Sequence, residues 1–180
     1  MTEPRMRAAV VTCSDAGFRG LRQDTAGDVV AAWLAERFEV AARVLLPDDQ
    51  DRLEGTLRGL AAVGVRLILT TGGTGLGPRD VTYEAVCRVV TRVIPGVGEA
   101  LRATGYRQLP QAMLSRQVAG TVGTTLIVAL PGAPRACSEG LAVLQPVLPH
   151  LLNLAAGRTR HDETPAPSAN FFAGTPGKRR

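Results

Sequence analysis

Val65 to Ala85 reads VRLILTTGGTGLGPRDVTYEA, and this stretch decides the fold. The apolar run Val65, Leu67, Ile68 and Leu69 has the composition of a buried strand. It stops at Thr70-Thr71-Gly72-Gly73-Thr74-Gly75, and a helix-type sequence resumes at Val81, beyond Arg79 and Asp80. The order is strand, glycine turn, helix. Gly72, Gly73, Gly75 and Gly77 remove Cβ atoms where the backbone turns, leaving N–H groups able to face a phosphate near a helix N-terminus. A tight strand-to-helix connection without a ligand explains the same glycines equally well. The stretch is not a P-loop, because Gly77 is followed by Pro78-Arg79 where Lys and Ser/Thr are required. It is not the dinucleotide fingerprint either, since Gly73-x-Gly75-x-Gly77 closes one residue early. Arg79-Asp80 directly after the turn favours a ligand, placing an anion partner beside a carboxylate suited to a hard cation.

Working outward toward the N-terminus, Arg7 to Thr12 reads as a buried strand, followed by Ser14-Asp15 and a cationic loop, Asp15 to Gln23, with Arg19 and Arg22. Asp24 or Thr25 is placed to cap a helix, Ala26 to Phe38, in which Val29, Val30, Trp33 and Leu34 recur at helical spacing. Val40 to Leu46 is a second strand, ending at Pro47-Asp48-Asp49-Gln50 ahead of a helix from Arg52 to Val63. Carboxylates at the end of a strand fall on the edge where open α/β sheets bind ligands, although one of this pair is expected to cap the helix.

Toward the C-terminus, helices are expected at Thr82 to Thr91 and Val97 to Tyr106, the second after the break Ile94-Pro95-Gly96. Gly123, between β-type segments, predicts a hairpin leading into the strand Thr124 to Leu130. Ser115 and Arg116 precede it. Their hydroxyl and guanidinium suit a phosphate or the amide edge of a pterin, and a plain surface loop accounts for them as well. Leu130-Pro131-Gly132 closes the last strand, where Gly132 admits either close approach of a nucleotide or a simple left-handed turn. A last helix spans Arg135 to Ala155, broken near Pro146 and Pro149. The pattern predicts an α/β fold: a three-layer, mostly parallel open sheet with helices on both faces and a small antiparallel hairpin.

The chain has 180 residues, enough for one hydrophobic core without staples. Residues 1–157 are expected to form the domain and 158–180 a flexible basic tail, in which Asn170-Phe171-Phe172 has the composition to dock on a neighbouring surface. The three cysteines, Cys13, Cys87 and Cys137, are scattered among apolar neighbours and read as reduced, buried thiols. His150 and His161 show no ligand spacing. No signal peptide or membrane span is visible, so the expected compartment is cytoplasmic. The net charge is +5, but the tail holds five bases (Arg158, Arg160, Lys178, Arg179, Arg180) against Asp162 and Glu163, a share of +3. Only +2 is left to the body, and with 4% aromatic residues a nucleic-acid role is disfavoured.

TTGGTG followed shortly by Arg79-Asp80-x-Thr82 resembles the signature of the MoaB/MogA family of molybdenum cofactor biosynthesis proteins. Matching stretches occur in the same order at Leu46-Pro47-Asp48-Asp49, Leu114 to Gly120 and Leu130 to Pro134. The likeness covers about residues 7–157. Tyr83 departs from it, standing where relatives usually carry Pro. The resemblance implies binding of molybdopterin and transfer of an adenylyl group to it from ATP with Mg2+, releasing pyrophosphate. It implies Asp48 and Asp80 as the catalytic and metal-holding pair, leaving the cap to Asp49. Gly72, Gly73, Thr74, Gly75 and Arg79 would receive the nucleotide, bordered by Pro131 and Gly132, with Ser14, Asp15, Ser115 and Arg116 toward the pterin phosphate. It also implies a homo-oligomer, trimeric or hexameric, with other proteins of the pathway as partners. A family member that binds molybdopterin without catalysis is the alternative.

Overall fold

In the computed structural model, which describes residues 5–158, strand β1 (Arg7–Cys13) is buried along almost its whole length. It runs parallel to β2 (Glu39–Leu46) on one side and to β3 (Leu67–Thr71) on the other. Strands covered on both faces read as continuous apolar runs, and successive side chains go to opposite layers. After the short helix α1 (Asp15–Phe18), helix α2 (Thr25–Arg37) packs with Ala8 and Val10, while Ala9 and Val11 pack with α3 (Gln50–Ala62) and α4 (Thr82–Val89). The first layer is completed by α5 (Pro95–Gln108), α6 (Pro134–Leu144) and α7 (Leu148–Ala155), through Leu101, Cys137, Leu141 and Leu152. The three-layer expectation is met.

Strand β6 (Thr125–Leu130) lies parallel to β3, and the whole sheet has the order β2-β1-β3-β6-β5-β4. The expected hairpin is present: β5 (Ala119–Val122) pairs antiparallel with β6, and Val122 faces Thr125 across a turn where Gly123 has φ +54°. A two-residue edge strand, β4 (Arg92–Val93), adds to β5 and was not legible from periodicity. It cuts short the expected helix from Thr82, which ends at Val89 because Val90 is extended. The long final helix is likewise two helices, separated around Pro146.

The register aligns the C-terminal ends of the parallel strands. Cys13 pairs with Leu46, Thr12 with Thr71, and Thr71 with Leu130. The chain leaves β1 for one edge and returns on its other side as β3, so the two following loops diverge toward opposite layers. That switch point is where open α/β sheets form a crevice. The three cysteines are unbridged, Cys13 and Cys137 buried and Cys87 half-buried. No helix among the described residues is long and apolar enough to cross a membrane. The expected basic tail, its Asn170-Phe171-Phe172 segment and His161 fall outside the described residues, apart from Arg158.

Candidate active site

The crevice is built on Gly72 and Gly73. Both have positive φ, +86° and +60°, which side-chain-bearing residues rarely adopt. A Cβ on Gly72 would lie 2.2 Å from the carbonyl oxygen of Cys13, so only glycine lets the turn pass the end of β1. Thr82, at the start of α4, donates its hydroxyl to Gly72 O at 2.8 Å and its N–H to Gly73 O at 3.0 Å. These bonds close the turn against the helix. Among the described residues, no protein acceptor takes the N–H groups of Gly73, Thr74 and Gly75.

Two carboxylates flank this turn. Asp80 folds back into its own loop, accepting the Gly77 N–H at 2.9 Å, and a Cβ on either Gly75 or Gly77 would come within 2.8 Å of Asp80 Oδ2. Glycine at both positions is therefore what admits the carboxylate. Asp48 arrives from the end of β2, with Oδ1 3.4 Å from where a Gly73 Cβ would stand. Asp48 and Asp80 line one cleft of about 580 Å³, together with Ser14, Gly72, Gly73, Thr74, Gly75 and Gly132. Asp49 instead caps α3, accepting Arg52 N–H at 2.9 Å, as expected for one of the pair.

Asp15, Arg79, Ser115, Arg116 and Pro131 are not among the residues that line the cleft. Asp15 and Arg79 pair through two bonds of 3.0 Å each. Ser115 donates to the Thr74 hydroxyl at 3.1 Å. Arg116 donates to Gly75 O at 2.7 Å and Asp80 O at 2.6 Å, pairs with Glu84, and lies 5.5 Å over the ring of Tyr83. The Tyr83 ring is thus one face of an arginine clamp on the glycine loop. Pro131 offers its carbonyl to Thr71 Oγ1 at 2.6 Å, and Gly132 approaches Gly72 so closely that a Cβ would sit 3.3 Å from Gly72 Cα.

Residues not anticipated as a site also line the cleft: Thr12, Arg22, Asp24, Thr25, Ala133 and Pro134. Asp24 accepts from Thr12 Oγ1 at 2.9 Å, Gly27 N–H at 2.8 Å and Arg43 at 3.2 Å. Its helix-capping signature accounted for it in the sequence. The cue that could have placed it in the cleft is its position in the loop after β1, on the same sheet edge.

Burial raises the Asp48 carboxyl above its ordinary range, and the nearby charges of Asp15 and Asp80 add to the rise. The Asp15 carboxyl is lowered, chiefly by its hydrogen bonds from Arg79. Among the described residues, no group of three or more His, Cys, Asp or Glu side chains is arranged to hold a metal. A cation here would take Asp48 and Asp80 and complete its shell from ligand oxygens and water. That donor set fits Mg2+, which commonly binds one or two carboxylates plus substrate phosphates.

Residues 9–150 match the family described as "Probable molybdopterin binding domain". A molybdopterin adenylyltransferase of Haemophilus influenzae is 40% identical over 141 residues, covering 76% of this chain and 71% of that protein. A molybdenum cofactor biosynthesis bifunctional protein of Synechococcus elongatus is 38% identical over 151 residues, 83% of this chain. The chain spans only 47% of that protein's length. Among solved structures, the molybdopterin biosynthesis enzyme MoaB of Thermus thermophilus superposes with a TM-score of 0.79 at 48% identity, over 84% of this chain and 97% of that one.

Proposed function

The chain belongs to the probable molybdopterin binding domain family, and from that premise we propose that it catalyses adenylyl transfer from ATP to molybdopterin in molybdenum cofactor biosynthesis. A terminal phosphate oxygen of molybdopterin attacks the α-phosphorus of ATP. The new P–O bond forms as the bond from the α-phosphorus to the β-phosphate oxygen breaks, and pyrophosphate leaves. Such a reaction needs in-line positioning and charge neutralisation rather than a protein nucleophile.

The observation that carries this reading is the shared cleft of Asp48 and Asp80, one on each side of the glycine turn. The two carboxylates would hold Mg2+, which neutralises phosphate charge when bound. The N–H groups of Gly73, Thr74 and Gly75 point the turn's positive edge toward a phosphate or ribose, and Ser14 faces the pterin phosphate across the cleft. Arg22, exposed and lining the cleft, supplies the cation for the second anionic substrate. Asp15, Arg79, Ser115, Arg116 and Pro131 shape the cleft from behind. Family likeness supports a cytoplasmic homo-oligomer, trimeric or hexameric, working with other proteins of the pathway.

Incubation with α-labelled ATP, molybdopterin and Mg2+ tests the proposal. Label entering the pterin fraction with release of pyrophosphate is the expected result. Molybdopterin bound without label transfer would establish the non-catalytic alternative instead.

A further inference from the structure

Behind the two cleft carboxylates runs a chain of contacts that spans three loops. The N–H of Asp15 donates to Asp48 Oδ2 at 2.9 Å, and the Asp48 N–H donates back to Asp15 Oδ1 at 3.1 Å. The Asp15 carboxylate also receives Nε and Nη2 of Arg79, each at 3.0 Å, in the planar two-point geometry that fixes direction as well as distance. Arg79 is the residue next to Asp80. The connection therefore runs Asp48, Asp15, Arg79, Asp80, with hydrogen bonds at the first two joints and a peptide bond at the last.

We propose that Asp15 and Arg79 are positioning residues, forming a bridge that sets the Asp48 and Asp80 loops relative to each other and touching no substrate. Neither side chain lines the cleft. Asp48 Oδ2 is engaged by Asp15, which leaves Asp48 Oδ1 as the oxygen turned toward the glycine turn. The loop that carries Asp80 is held to its own helix by Thr82 and to the segment before β5 by Arg116, and the Asp15–Arg79 pair is a side-chain link that reaches from it across to the Asp48 loop. The Arg79 side chain is 63% exposed, so the ion pair adds little to global stability. What it supplies is relative placement, to which in-line transfer is steep: misplacement of about 1 Å can cost on the order of 100-fold.

This inference rests on the adenylyltransferase reading for its kinetic effect, and its test has one arm that does not. In steady-state assays, Arg79→Ala and Asp15→Ala should each lower kcat on the order of tenfold or more, with KM for ATP within about threefold of wild type. The double variant should be no worse than the poorer single, because both break one bridge. Arg79→Lys, which keeps the charge but not the fork, should recover part of kcat. A raised KM with unchanged kcat would mean direct ligand contact, and multiplying losses would mean independent roles. Either overturns the bridge. In the second arm, hydrogen exchange at the Asp48 amide should quicken at least about threefold in Arg79→Ala, although Arg79 does not touch that amide, with Tm nearly unchanged. If the wild type itself shows no turnover, the functional reading fails and exchange alone decides. Unaltered Asp48 exchange in Arg79→Ala overturns the bridge, and since Arg79 is exposed this variant remains informative should Asp15→Ala not fold.

Discussion

Arg116 donates to the main-chain carbonyl of Asp80 at 2.6 Å, which ties a side chain from the segment before β5 to the backbone of the acidic residue that closes the glycine loop. The same guanidinium holds Gly75 O at 2.7 Å, pairs with Glu84, lies over Tyr83, and is three-quarters buried, with 25% of the side chain exposed.

Truncating that clamp leaves two loop carbonyls and a partly buried carboxylate without their donor. Arg116→Ala should lose about 1.5–3 kcal/mol in urea unfolding, the range for hydrogen bonds to a charged group. Arg116→Lys should recover less than half, since an ammonium cannot span the same acceptors. Tyr83→Ala should cost less than about 1 kcal/mol through the lost cation–π contact.

Two glycines with nearly the same φ separate backbone strain from steric exclusion. Gly64 (φ +81°) has nothing within 4 Å of a would-be Cβ, whereas Gly72 (φ +86°) would place one 2.2 Å from Cys13 O. Gly64→Ala should cost about 1–2 kcal/mol, the left-handed penalty alone. Gly72→Ala adds a clash between β1 and β3 and should cost more than about 3 kcal/mol, or prevent folding. Equal chemical-denaturation midpoints for the two variants would refute the close approach.

Adjacent carboxylates should respond oppositely to pH. The Asp48 carboxyl is raised by burial, so its ionised form opposes folding above its titration range. Asp48→Asn should therefore raise Tm at neutral pH, with the gain shrinking as the pH falls through the range where Asp48 takes up its proton. The Asp15 carboxyl is lowered by Arg79, so its contribution is present above the ordinary carboxylate range and lost as the pH falls toward its depressed value. Asp15→Asn should lower Tm only slightly at neutral pH, because the pair with Arg79 is exposed, with wild type and variant converging in acid. Thermal unfolding across pH for both variants checks the signs.

The sheet and the site frame were legible in the chain for local reasons. Buried parallel strands leave continuous apolar runs, as in Leu67 to Leu69, and the abrupt glycine turn after Thr71 announces the edge where ligands bind. The residues alone left open which of Asp48 and Asp49 caps a helix expected from Arg52; the family resemblance gave the cap to Asp49, which stands directly before Gln50, where the helix starts. Gly123 marked its hairpin. Strand β4 was hidden because two exposed residues carry no periodicity and become a strand only through β5. The roles of Asp15, Arg79 and Arg116 were hidden for a different reason. Residue type identifies them as charged groups near the site, but whether they face the ligand or the loop behind it depends on contacts 64 and 36 positions away in the chain. No local pattern encodes that direction.

Joint action of Asp48 and Asp80 across the glycine turn is what we propose for adenylyl transfer. It is tested most directly by measuring adenylyl-molybdopterin formation by Asp80→Asn in the presence of ATP and Mg2+, alongside molybdopterin binding by the same variant. Loss of product on the order of 100-fold or more with binding retained is the outcome expected for a residue that acts on the transferring phosphate; turnover at the wild-type rate would contradict the account.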